Sequence, residues 1–248
     1  MIDNLIDAID QVVDNLQSDE AVESSIAVTY NSELNTTTYK YISEFNNYVA
    51  GQYVEFYELD TGVRYKISTL VESAGNNFTA TFQGNITNIV NESKVKMRPF
   101  VKYKYDNYKN IQKQLIEEGK SSTLKKNKYP LLALILPYEE ERGKEFGVIM
   151  ETNATVVLII DSQKNWTTAD RELYSFTQNL RPLYDLFICK LKHSGLFQTD
   201  EFLLIPHKKT DHYFWSADKA ETQNKLAAIV DAIELSNFKL ILNKQSNC

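Results

Sequence analysis

Cysteine is almost absent from this sequence: Cys189 and Cys248 are the only two, too few for the disulfide framework that holds small secreted domains together. A reducing compartment is the simpler expectation. Glycine and proline are also scarce, 8 and 5 among 248 residues, which excludes a collagen-like or linker-like polymer. Positive charge is in deficit, with 27 Lys and Arg against 33 Asp and Glu and a net charge of −6. Such a chain repels a phosphate backbone, so no sequence-specific nucleic-acid partner is expected. The short basic run Lys125-Lys126-Asn127-Lys128 reads as a solvated loop.

Long apolar runs are missing as well. No stretch approaches the ~20 residues of a membrane-spanning helix, and Met1-Ile2-Asp3-Asn4-Leu5-Ile6 carries acid where an export signal needs base. The expectation is therefore no membrane partner and no export. The Asn-x-Ser/Thr sequons, as at Asn35, Asn77 and Asn153, read as chance products of an Asn- and Thr-rich chain.

Catalytic signatures are lacking too. There is no phosphate-cradling Gly-x-x-x-x-Gly-Lys-Ser/Thr, no Gly-x-Gly-x-x-Gly, no His-Glu-x-x-His and no Cys-x-x-Cys. The histidines are His193, His207 and His212, and the last two with Asp211 could form a His/carboxylate metal cluster. Without a second ligand pair they read as surface loop residues, and no cofactor is expected. Glu139-Glu140-Glu141-Arg142 could serve a paired-carboxylate hydrolase. Consecutive residues point in different directions, however, so a solvated acidic loop or an acidic rim for a basic partner is the plainer reading.

What is present is a folding pattern, with hydrophobic residues at 43%. Ile2, Leu5, Ile6, Ile9, Val12, Val13 and Leu16 recur at helical spacing and predict an amphipathic opening helix. Ser25–Tyr30 reads as a strand, and from Thr36 to Tyr105 closely spaced strands and turns predict a hairpin- or barrel-like antiparallel region. Within it, Gln52–Glu58 and Val63–Ser68 flank the Asp60-Thr61-Gly62 turn, Gly75-Asn76-Asn77 marks a reversal before Phe78–Phe82, and Val95–Tyr105 reads as one further strand.

Asp106 is the expected N-cap of a helix with Ile111, Leu115 and Ile116 on one side, ended by Gly119. Tyr129–Pro137 and Ala154–Ile160 are continuous apolar runs, expected as strands of one sheet covered on both faces. Thr167-Thr168-Ala169-Asp170 offers a capping start to the longest helix, with Leu173, Phe176, Leu180, Tyr184, Phe187, Ile188 and Leu191 in period and Pro182 as a kink. Gly195–Trp215 reads as irregular, Leu226–Val230 as helix-like, and Phe238–Leu242 as a closing strand. The fold class is thus α+β: an N-terminal helix, an antiparallel β-rich region, then an α/β sheet packed by one long kinked helix. The expected domains are 1–105 and 106–248.

Three segments resemble a known group of proteins. They are Lys128–Leu134, Thr168–Glu172 with Leu180-Arg181-Pro182-Leu183-Tyr184, and Val230-Asp231-Ala232-Ile233-Glu234-Leu235. In that order they resemble head-tail connector or tail-completion proteins of tailed phages of the Bacteroidetes-infecting, crAss-like type, over roughly residues 50–242. The resemblance implies a virion protein, assembled in the host cytoplasm, that forms a homo-oligomeric neck ring between portal or adaptor and tail proteins. It implies no catalytic residue. The candidate interface is Tyr138, Glu139, Glu140, Glu141 and Arg142, with the aromatic cluster Tyr213, Phe214 and Trp215, since exposed aromatics are frequent hot spots. A binding or adaptor module outside the virion and an unrecognised hydrolase are the competing expectations.

Overall fold

Helix α1, Leu5–Asp14, forms where the sequence places it. Asn4 caps it by accepting from the Asp7 amide at 2.8 Å, and Leu5, Ala8, Ile9, Val12 and Val13 make up its buried stripe. The structure, a computed structural model, describes residues 4–16, 21–22, 25–42, 54–58, 64–67, 69–73, 77–83, 95–120, 128–142, 149–198, 206–211 and 229–243. They fall into two units, one formed by Leu16–Phe100 and the other by Met1–Asn15 with Val101–Cys248.

The first of these is all β. Strands β1 (Ala21–Val22), β2 (Ser25–Asn31), β3 (Thr36–Ile42), β4 (Val54–Glu58), β5 (Arg64–Ile67), β6 (Thr69–Ser73), β7 (Asn77–Gln83) and β8 (Val95–Pro99) follow in chain order. They build two four-stranded sheets, ordered β1-β8-β4-β5 and β2-β3-β7-β6. Every pairing is antiparallel. The β4–β5 hairpin and the β6–β7 reversal stand as expected, and β5 and β6 carry the chain from one sheet to the other. The β2–β3 turn is built by Asn31, whose Oδ1 accepts from the Glu33 and Leu34 amides. Asn35 there adopts a left-handed φ of 48°, a conformation Asn tolerates better than other side-chain-bearing residues.

The other unit is a five-stranded mixed sheet between helical layers. Its elements are α1, β9 (Lys102–Asp106), α2 (Tyr108–Lys120), β10 (Leu131–Arg142), β11 (Ile149–Ser162), the helical run α3, β12 (Lys208–Thr210) and β13 (Ile229–Asn243). The run α3 comprises Thr168–Asp170, Arg171–Leu180 and Arg181–His193 in succession. Strand order is β12-β13-β11-β10-β9, antiparallel except for β9 beside β10.

Leu131–Ile135 and Val156–Ile160 are buried without a break, because helices cover both faces. On one face Ile111 and Leu115 of α2 pack with Leu131, Ala133, Ile135, Val157, Ile159, Val230 and Ala232. On the other, α3 lies over β11 and β13, and α1 lies against α3 and β9. Lys102 and Lys104 of β9 tie α2 down through Glu118, at 2.8 and 2.9 Å. Tyr103 points the opposite way and donates to the Ile6 carbonyl of α1 at 3.2 Å.

Several expectations need correction. The strand expected over Val95–Tyr105 is two, β8 and β9, which belong to different sheets; Pro99, which has no amide to donate, ends the first. The domain boundary expected at 105/106 shifts accordingly, and α1 groups with the second half rather than the first. Its apolar stripe needs a helical and sheet surface, and α3 with β9 supplies one. Asn107, not Asp106, accepts from the third amide of α2, Asn110 N–H, at 2.9 Å, and Ile116 is exposed.

Ile229 and Val230, expected at the end of a helix, begin a 15-residue strand, since a short buried apolar run has no periodicity of its own. β13 also absorbs the closing strand. Leu235 pairs with Val156 but Phe238 with Ala154, so one extra residue is accommodated by a bulge in which Asn237 has φ 54°. β10 carries two extra residues at the same level, between Ile135, opposite Thr155, and Glu139, opposite Asn153.

Two outcomes follow. Asn237→Val should destabilise the protein by about 1–2 kcal/mol and Asn237→Gly by almost nothing, read by urea denaturation, because only the β-branched residue resists the left-handed conformation. For Glu118, burial raises the carboxyl pKa, but the hydrogen bonds and charges of Lys102 and Lys104 outweigh it and lower the value below normal. A lowered folded-state pKa stabilises above the ordinary glutamate range and ceases to do so as pH falls through the lowered value. The stability gap between the native chain and Glu118→Gln should therefore close on acidification.

Candidate assembly interface and its buried support

Strand β10 outruns its outer neighbour. β9 pairs with it only from Leu131 to Ile135, whereas β11 continues alongside to Arg142. Among the described residues, Tyr138–Arg142 therefore form a sheet edge with a ladder on one side. Glu139, Glu140 and Glu141 are exposed there. The register places Glu139 opposite Asn153 and Glu141 opposite Glu151, on the side of the sheet that α2 covers lower down. Glu140 lies opposite Thr152, on the α1/α3 side. Lys239, on β13, pairs with Glu151 at 3.0 Å. An edge that carries three consecutive glutamates resists random strand addition while remaining open to a partner of opposite sign.

The other expected site residues divide. Tyr138 is half-buried and turned inward: the Leu5 amide donates to its hydroxyl, while burial and the Glu140 charge raise its pKa. It joins the insertion in β10 to the first turn of α1, so it supports the edge rather than presenting a surface. Arg142 pairs through its backbone with Met150. Tyr213, Phe214 and Trp215 lie outside the described residues, as does His212.

His207 is exposed and lies against Tyr184 with the two rings tilted, their centroids 4.6 Å apart. His193 Nδ1 lies 2.8 Å from the Cys189 carbonyl and 3.6 Å from the Cys189 sulfur. A carbonyl only accepts, so Nδ1 carries the proton and this nitrogen cannot serve as a base toward the exposed thiol. Among the described residues no three His, Cys, Asp or Glu side chains are grouped to hold a metal ion.

What sequence reasoning missed is a buried polar cluster between α3 and the sheet. Arg171 is 1% exposed and Asp231 0%. Arg171 Nη1 donates to Asp231 Oδ1 at 2.8 Å and to Ser162 Oγ at 2.7 Å, and Nη2 donates to the Gln163 carbonyl at 3.1 Å. Ser175 donates to the second Asp231 oxygen at 2.6 Å. Both charged residues stood in the segments that carry the family resemblance, but no periodicity marks them.

The backbone explains their placement. Arg171–Leu180 is π-helical, bonding i to i+5, so residues four and five apart share the inner face: Arg171, Ser175, Phe176, Asn179 and Leu180 are buried. Asn179 Nδ2 donates to the Tyr174 carbonyl at 2.8 Å. Leu173, expected inward, is exposed at 46%. The helix passes Pro182 and stops at Gly195, whose φ of 69° is the left-handed conformation that ends helices. The Thr167/Asp170 capping box at its start forms as expected.

Compared with protein-family models, with curated proteins and with solved structures, the chain matches none.

Breaking the buried pair isolates its role. Asp231→Ala leaves the Arg171 charge uncompensated and should cost about 3–5 kcal/mol, whereas Arg171→Met with Asp231→Leu should recover most of that loss. Urea denaturation of the two variants checks this, and equal losses would show that the pair is not what holds α3 to β13.

Proposed function

We propose that this chain is a virion structural protein of a tailed phage, forming a homo-oligomeric ring at the head-tail interface and linking portal or adaptor proteins to the tail. The observation that carries an assembly role is the acidic edge of β10. It extends beyond β9, is anchored through Tyr138 to α1, and leaves a row of backbone groups with no partner strand among the described residues. The resemblance of Lys128–Leu134, Thr168–Glu172 and Val230–Leu235 to neck proteins supplies the setting. Ring formation needs two different complementary surfaces on each subunit, because heterologous contacts close only when the rotation per copy divides a full turn.

The reading is tested on particles and in solution. Mass spectrometry of purified virions should find the chain in a fixed ratio to the portal protein, and light scattering of the purified chain should show a concentration-dependent multimer. A chain absent from the particles overturns the reading.

A further inference from the structure

The sheet has a second edge, and its charge is opposite. β12, Lys208–Thr210, pairs with β13 alone among the described residues and opens with two lysines. Its register places Lys208 opposite Glu234 and Lys209 opposite Ile233. Lys208 therefore lies on the α2 side of the sheet and Lys209 on the α3 side. There Lys209 is bonded to Glu172, with its ammonium 4.3 Å from the Phe176 ring centroid. Lys208 is exposed and makes no ion pair with another described residue.

We propose that copies of the chain join edge to edge, β12 of one copy adding antiparallel to Glu139–Arg142 of β10 in the next, so that the five-stranded sheet continues from subunit to subunit. This rests on the reading of the chain as a ring subunit and names the contact that would build the ring.

Three features of the sheet favour a second copy as the occupant. Strand directions agree: β10, β11, β13 and β12 alternate, so β12 of an equally oriented neighbour runs antiparallel to β10. Charges agree face by face. Setting Glu140 opposite Lys209, both on the α3 side, brings Glu141 opposite Lys208, both on the α2 side, and opposite charges across a strand pair attract.

The levels agree with a closed arrangement as well. Through the ladders Lys209 is level with Leu158 and Glu140 with Thr152, a stagger of six residues along β11, or about 20 Å. The four strand spacings from one β12 to the next copy's β12 span about 19 Å. Strands would then incline by about 45° to the ring axis, close to the tilt of closed β-barrels. The stagger also sets the incoming β12 beyond the end of β9 rather than over it.

Cross-linking tests the contact directly. In a chain with Cys189→Ser and Cys248→Ser, the pair Glu141→Cys and Lys208→Cys sits on opposite edges of one sheet and cannot close within a copy. Mild oxidation should give a ladder of covalent multimers, while each single-cysteine variant stops at a dimer. Independently, Glu141→Lys should weaken self-association about tenfold, and adding Lys208→Glu to it should restore association; both replace exposed residues, and circular dichroism checks their fold.

A multimer that forms without a ladder and ignores Glu141→Lys overturns the edge pairing but leaves the ring reading standing. A monomer without a ladder overturns the pairing too, and the particle mass spectrometry then decides the reading by itself.

Discussion

Two-sided burial of the central ladder is the constraint from which the rest of the larger unit follows. Leu131–Ile135 of β10 and Val156–Ile160 of β11 have no solvent-facing residue, so neither face of the sheet can be left open. One face takes α2, whose Ile111 and Leu115 complete an apolar layer. The other takes α3 and the opening helix α1, which explains why a segment from the start of the chain folds with its second half. Where the ladder leaves this doubly covered zone, the strands change character: Glu139, Glu141, Asn153 and Lys239 face solvent on one side, while Thr152, Phe238 and Leu240 remain buried on the other.

The Arg171–Asp231 pair is the one place where that apolar interior admits charge. Removing two ions from water is costly, and their mutual attraction offsets the cost only when the remaining hydrogen-bonding groups are satisfied. Here Ser162, Ser175 and the Gln163 carbonyl do most of this, although Arg171 Nε has no partner among the described residues. Such a pair is by itself weak evidence of added stability. It joins α3 to β13 one helical turn before Phe176, on the segment whose Glu172 and Phe176 meet Lys209.

Much of this architecture was legible in the sequence, and the failures have a common cause. Amphipathic α1, the paired apolar runs of β10 and β11, the capping box at Thr167 and the hairpins of the β-rich unit all follow from local periodicity or turn chemistry. β13 does not show as one strand in the sequence, because the bulge at Asn237 shifts its inward residues from Leu235 to Phe238 and breaks the alternation. A 3.6-residue period turns Leu173 inward, but the helix is wider there and leaves it exposed. Arg171 and Asp231 look like surface residues until the fold brings them together across 60 positions. The acidic stretch Glu139–Glu141 was recognised as a candidate surface, but its identity as an open edge depends on where β9 stops, which only the pairing reveals.

The extra residues in β10 and β13 flank the same point of β11, between Asn153 and Val156, and they differ in parity. β13 gains one residue, which swaps which side chains face inward; β10 gains two, which leaves the facing unchanged. The stretch Leu136–Tyr138, three residues where β11 has Ala154 alone, thus works as a spacer with a counting rule. Lengthening it by an even number would move the glutamates along the edge and keep each on its own side. An odd change would turn Glu139 and Glu141 toward the α3 layer and Glu140 away from it. In this chain the facing of a charged surface is set by the number of residues in the irregular stretch beside it.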